Sequence, residues 1–259
     1  MVTLDDADFP ASTDTDLICS SALDVECLGC KLRLLCLPAG LTADEVGKLE
    51  ASVEQSVSIA AGESLYEAGD AFTSLYAVLR GGIKKYRLAP DGEIDITGFH
   101  LPGEIFGYSG IDSGHYLEHA LAFADSVVCE IPFEDIEALS RDIPNLQRRL
   151  LHLMSQRIVE DHELMCQLVD QTPSRKRICA FLLGLSSRAA RRGESSTRIE
   201  IPVTLVDIGN YLGVRPETVS RLLTQLAAEG AIRRDKRSVT ILDMEKLRKP
   251  VCGAGAGTG

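Results

Sequence analysis

Between residues 57 and 131, short runs of Val, Ile, Leu, Tyr and Phe alternate with turn signals at Gly62, Gly69-Asp70, Gly81-Gly82, Pro90-Asp91-Gly92, Pro102-Gly103 and Ser113-Gly114. That rhythm predicts a β-roll or jelly-roll barrel. The period then lengthens. Pro144 suits the first turn of a helix capped by Asp142, and the helical pattern runs to about Gln171 before Pro173 stops it. Within it Leu151, Ile158 and Met165 recur every seven residues, with Met154, Asp161 and Leu168 as a companion row. This is the repeat of a short coiled-coil seam. A helix packed on its own barrel would also be apolar on one face, but a heptad phase held over this length favours two identical helices. Beyond Thr172-Pro173 the chain reads as a helix over residues 175–190, a Gly/Ser-rich loop, a short strand at 198–201, two short helices and a hairpin over 231–242.

These elements predict an α+β fold in three parts. Residues 19–140 form a sensor domain with a β-roll (jelly-roll), residues 141–172 a long dimerisation helix, and residues 173–249 a C-terminal winged helix-turn-helix domain. The Asp/Thr/Ser-rich residues 1–18 read as a disordered acidic arm, since they lack the apolar area to offset ordering entropy. The tail over 250–259, mostly Gly and Ala, reads as flexible.

The helix-turn-helix reading rests on residues 205–226. Small Gly209 lets two helices approach, Gly213 supplies a left-handed turn, and Val206, Ile208, Leu212, Val219, Leu222 and Leu223 can form the small core. The second helix then presents Arg215, Glu217, Thr218, Ser220, Arg221 and Gln225. Arg offers two donors to guanine, Glu accepts from cytosine, and Ser can meet thymine. Arg233, Arg234, Lys236 and Arg237 on the hairpin make a basic wing suited to phosphates.

A net charge of -11 argues against a partner of nucleic acid until it is divided by position. Residues 1–169 hold 11 Lys+Arg against 29 Asp+Glu, whereas residues 170–259 hold 16 against 9. The basic C-terminal part can therefore approach DNA while the body stays acidic. At 259 residues and 45% apolar composition the chain can bury a core in each of two domains. No run approaches the ~18 apolar residues needed to span a bilayer, and the acidic N-terminus does not resemble a signal peptide. These features predict a cytoplasmic protein without a membrane partner. Thiols stay reduced there, so eight cysteines point to metal ligation, redox chemistry or packing.

Cys27, Cys30 and Cys36 follow the spacing C-x2-C-x5-C, which lets thiolates converge on one metal centre from a single loop. A fourth ligand must come from elsewhere, and Cys129, at the end of the barrel, is the best-placed candidate. All-thiolate ligation suits zinc or an iron-sulfur cluster, and spacing does not choose between them. Cys166 and Cys179 read as small apolar residues of helices, Cys19 precedes the motif and Cys252 lies near the tail.

Four segments together resemble the FNR regulators, the oxygen-sensing branch of the CRP/FNR superfamily: Cys27-Leu-Gly-Cys30-Lys-Leu-Arg-Leu-Leu-Cys36, Ser126-Val-Val-Cys129-Glu-Ile-Pro-Phe133, Asp207-Ile-Gly-Asn-Tyr-Leu-Gly213 and Glu217-Thr-Val-Ser-Arg221. The resemblance runs in order over roughly residues 19–249. It implies a 4Fe-4S cluster on Cys27, Cys30, Cys36 and Cys129, and base reading by Glu217, Ser220 and Arg221 on a palindromic site. It also implies a homodimer that controls transcription through RNA polymerase when oxygen is scarce.

Three other readings fit less well. Gly103-Glu-Ile-Phe-Gly107 is similar to the start of a cyclic-nucleotide cassette, yet residues 115–122 offer no Arg for the phosphate, so no cyclic nucleotide is expected. A haem- or other ligand-sensing regulator of the same superfamily leaves the clustered cysteines unexplained. An enzyme would need a His/Glu metal triad or a nucleophile-base pair, and none stands out; His115 and His119 read as surface residues.

Overall fold

The computed structural model describes residues 26–53, 55–90, 92–169, 172–201, 203–235 and 238–252. The acidic arm, Cys19, Lys236, Arg237 and the tail from residue 253 lie outside the described residues. After the cysteine loop, helix α1 (Ala43–Ser52) opens with a capping box in which Thr42 and Glu45 satisfy each other's backbone N-H groups.

Eight strands then form the barrel: β1 (Gln55–Ile59), β2 (Ser64–Tyr66), β3 (Ser74–Arg80), β4 (Ile83–Leu88), β5 (Ile94–His100), β6 (Ile105–Phe106), β7 (His119–Ala122) and β8 (Ser126–Pro132). They pair antiparallel in two four-stranded sheets, ordered β1-β8-β3-β6 and β2-β7-β4-β5. Large rings fill the space between them. Tyr66, Tyr76, Phe106 and Tyr116 are all buried there, with Tyr66 and Tyr116 stacked at 3.8 Å.

Helix α2 (Phe133–Asp142) closes the barrel, and helix α3 (Pro144–Val169) starts directly after Ile143. Asp142 therefore ends α2 and does not cap α3, contrary to the sequence reading. Ile136 and Ile143, both fully buried in the sensor core, hold this segment as a separate helix with a break at Ile143. The long helix carries two apolar faces. Leu146, Leu150 and Leu153 pack on the sensor core and Leu164 on the DNA-binding core. Leu151, Ile158 and Met165 point away and are 59%, 66% and 59% exposed. The packing of the helix on its own barrel is thus observed, and the row Leu151, Ile158 and Met165 is left uncovered.

The C-terminal part comprises α4 (Ser174–Arg191), β9 (Arg198–Glu200), α5 (Leu205–Leu212), α6 (Pro216–Ala228), the hairpin β10 (Ile232–Asp235) and β11 (Ser238–Ile241), and α7 (Met244–Cys252). Helix α7 replaces part of the expected tail because Leu247 is fully buried against α4 and its core. The α5–α6 turn is built as its glycines require. Gly213 adopts φ 59°, and a Cβ on Gly209 would strike the carbonyl oxygen of Val214. The architecture is the β-roll, long helix and winged helix-turn-helix of the predicted α+β class.

Candidate cysteine site and nucleic-acid interface

The loop bearing Cys27, Cys30 and Cys36 is a chain of tight turns. Cys30 N-H donates to the Cys27 carbonyl, Arg33 N-H to that of Cys30, and Cys36 N-H to that of Leu32. Two outside groups fix it. Glu50 of α1 accepts the Cys27 N-H at 2.9 Å, and Leu37 anchors the loop's exit in the sensor core.

Burial pushes the Cys27 thiol up to about 12, helped by Cys36, Glu50 and Cys30. Burial also raises Cys36, to about 11, with Cys30 adding to it while the Leu37 backbone and Arg149 oppose it. Both are therefore protonated at neutral pH. Cys129 is buried on β8, between Ser56 of β1 and Ala77 of β3, in the same hydrophobic cluster against which Cys36 packs.

As a donor set these thiols fit a thiophilic metal centre, because three lie within mutual electrostatic reach, and Cys27 and Cys36 would ionise only with a strong positive charge beside them. In this arrangement no three His, Cys, Asp or Glu side chains among the described residues converge to hold a metal ion. Ligation by all four requires the loop to close further onto β8. Of the other cysteines, Cys179 is fully buried in the C-terminal core, as expected. Cys166, read as an apolar helical residue, is instead exposed on α3, 3.6 Å from His162 Nε2. His119 stacks on Tyr86 and accepts from the Ala68 N-H, while His115 is exposed beside Ser113.

The sequence reading missed Arg149. From α3 its Nε donates to the Cys36 carbonyl at 3.0 Å and its Nη2 to that of Leu35. The signal was available: Arg149 falls three residues after Leu146 and four before Leu153, on the barrel-facing stripe.

On the second helix of the motif, α6, Arg215, Glu217 and Arg221 are exposed, and Thr218 and Ser220 are half-buried. Val219, Leu222, Leu223 and Leu226 are buried and fix the orientation of the polar face. The wing places Arg233 and Arg234 in solvent on β10. Helix α5 faces the opposite way, onto the sensor. Asn210 bonds the Ile96 N-H at 2.6 Å and also reaches the Ile94 carbonyl; Asp207 pairs with Lys84 at 2.9 Å, and Tyr211 meets Phe99 edge-on. These three residues were read only as part of a DNA-binding motif, because residue type does not reveal what an exposed helix face will dock against.

Residues 56–142 match the cyclic nucleotide-binding domain and residues 176–249 the Crp-like helix-turn-helix domain. The transcriptional activator protein anr of Pseudomonas aeruginosa is 40% identical over 221 residues, covering 85% of this chain and 90% of that protein. The fumarate and nitrate reduction regulatory protein of Escherichia coli is 38% identical over 228 residues, covering 88% and 91%. The chain belongs to the FNR-type branch of the CRP/FNR superfamily. Among solved structures, FixK2 from Bradyrhizobium japonicum aligns with a TM-score of 0.69 at 26% identity, over 79% of this chain and 98% of that one. As a CRP/FNR regulator the chain is a DNA-binding transcription factor rather than an enzyme. No helix among its described residues is long and apolar enough to cross a membrane.

Proposed function

We propose that this FNR-type regulator holds a 4Fe-4S cluster on Cys27, Cys30, Cys36 and Cys129, dimerises through α3 when oxygen is scarce, and then binds palindromic promoter DNA to act on RNA polymerase. The observation that carries this reading is Arg149. One guanidinium on the candidate dimer helix grips the backbone of the candidate ligand loop. When bound, the cluster supplies an oxygen-labile tie between loop and barrel. Closing residues 27–36 onto Cys129 moves the carbonyls of Leu35 and Cys36, and Arg149 passes that displacement to α3, biasing its equilibrium between free and paired states.

Leu151, Met154, Ile158, Met165 and Leu168 would supply the apolar seam, of which Leu151, Ile158 and Met165 are the most exposed. Asp161 lies on the same helix and would oppose its symmetry mate across the seam. Arg157, four residues earlier, pairs with it at 2.6 Å and offsets part of that repulsion. The barrel interior, packed by Tyr66, Tyr76, Phe106 and Tyr116, supports a regulator that takes no cyclic nucleotide there.

Sedimentation velocity under argon and in air tests the link. Wild type is expected to be dimeric under argon and monomeric in air, and Asp161→Ala to remain dimeric in both. Arg149→Ala is expected to keep its iron-sulfur absorption under argon yet dimerise on the order of tenfold more weakly. Wild-type dimerisation by Arg149→Ala would break the proposed connection, and a wild type unchanged between the two gases would remove oxygen control altogether.

A further inference from the structure

A cavity of about 210 Å³ lies where four parts of the chain meet: Leu34 and Leu35 of the cysteine loop, the β5–β6 end of the barrel, α3 and the end of α4. Five guanidinium groups line it, from Arg149, Arg157, Arg188, Arg191 and Arg192, against the two carboxylates of Glu104 and Glu160. Carboxylates outside the lining bear on these arginines too: Asp161 pairs with Arg157 at 2.6 Å and Glu194 with Arg192, while Glu104 is taken by Arg188 and Glu160 stands 3.6 Å from Arg191. The guanidinium of Arg149 donates to the carbonyls of Leu35 and Cys36, so the positive excess of the cluster rests on it.

Two groups in the wall keep unused hydrogen-bonding capacity. Arg192 gives one nitrogen to Glu194 but leaves Nε and Nη1 buried without partners, and buried His100 leaves Nε2 likewise. His100 also reports the local field. Burial, then the charges of Arg157, Lys85 and Arg188, hold its pKa well below the usual histidine value. Positive charge concentrated in a recess with low-dielectric walls draws in anions, and planar guanidinium forks match phosphate and carboxylate oxygens in pairs.

We propose that this cavity binds a small multivalent anion carrying phosphate or carboxylate groups. The volume accommodates a ligand the size of phosphate, pyrophosphate or a tricarboxylate. Such an anion touches barrel, α3 and α4 together, so it clamps the DNA-binding part to the sensor in the arrangement observed here. It is an effector site separate from the thiols, and by linkage its occupancy and the relative position of the two domains control each other. The site needs no metal centre.

The test is isothermal titration of the full-length, cluster-free chain with inorganic phosphate, pyrophosphate and citrate, against sodium chloride at matched ionic strength. Saturable binding of one anion per chain is expected for at least one of the three; saturation by pyrophosphate alone or by citrate alone supports the site and assigns the head group. Arg192→Gln and the more exposed Arg191→Ala should each weaken binding about tenfold. Arg248→Ala, which removes the same charge from the exposed face of α7, should bind like wild type. Unchanged affinity in both cavity variants, an equal loss in Arg248→Ala, or no saturable heat with any anion would overturn the proposal. If Arg192→Gln fails to fold by circular dichroism, Arg191→Ala decides the matter alone.

Discussion

Cys129→Ser, purified without oxygen, is expected to lose the visible iron-sulfur absorption and all anaerobic reporter activity, and Cys27→Ser, Cys30→Ser and Cys36→Ser should do the same. A serine hydroxyl is a far poorer soft donor than thiolate, so a cluster with one ligand replaced is held too weakly to persist. The four positions are of unequal kind. Three share a loop whose backbone is fixed by Glu50 and Arg149, whereas Cys129 stands on β8, in the cluster against which Cys36 packs. The Cys129 variant is therefore the sharpest of the set. Cys166→Ser should be silent, since that thiol faces solvent on α3. Cys179→Ser places a hydroxyl in a fully buried apolar site and should lose roughly 1–2 kcal/mol of stability while keeping its absorption. A complete cluster in Cys129→Ser would mean that the fourth ligand lies elsewhere.

Arg221→Ala should weaken binding to an FNR-type palindrome by about 1–3 kcal/mol, roughly five- to 150-fold, while leaving binding to scrambled DNA nearly intact. Arg221 is exposed one helical turn beyond Glu217, and the buried row Val219, Leu222, Leu223 and Leu226 turns both toward the same groove. Arg234→Ala on the wing should instead weaken binding to every sequence and flatten the salt dependence, because a phosphate contact releases counterions without reading bases. Fluorescence anisotropy at several salt concentrations separates the two. Equal losses on both DNAs for Arg221→Ala would withdraw the recognition role from α6.

Much of the architecture was legible in the chain because local chemistry and tertiary packing agree there. Turn residues mark the barrel strands, and Gly209 and Gly213 mark a helix-turn-helix that their geometry demands. Helices α1, α2 and α7 were not legible. They are short, and a few buried residues such as Leu49, Ile136 and Leu247 carry their packing, too little to set a clear period. The cysteine spacing pointed to a metal-binding loop, but the arginine that joins this loop to α3 is a long-range contact between residues over a hundred positions apart. The same limit hid the docking of Asp207, Asn210 and Tyr211 on the sensor. Asp161 shows the converse: its heptad position was readable, while its pairing with Arg157 depended on rotamers that only the folded helix defines.

The central claim is that the four cysteines carry an iron-sulfur centre, and the direct measurement is iron and acid-labile sulfide on wild-type protein purified without oxygen. About four of each per chain, with both lost on exposure to air, is the result this account predicts. Zinc without sulfide, or a metal-free protein that still dimerises and binds its palindrome, would contradict it.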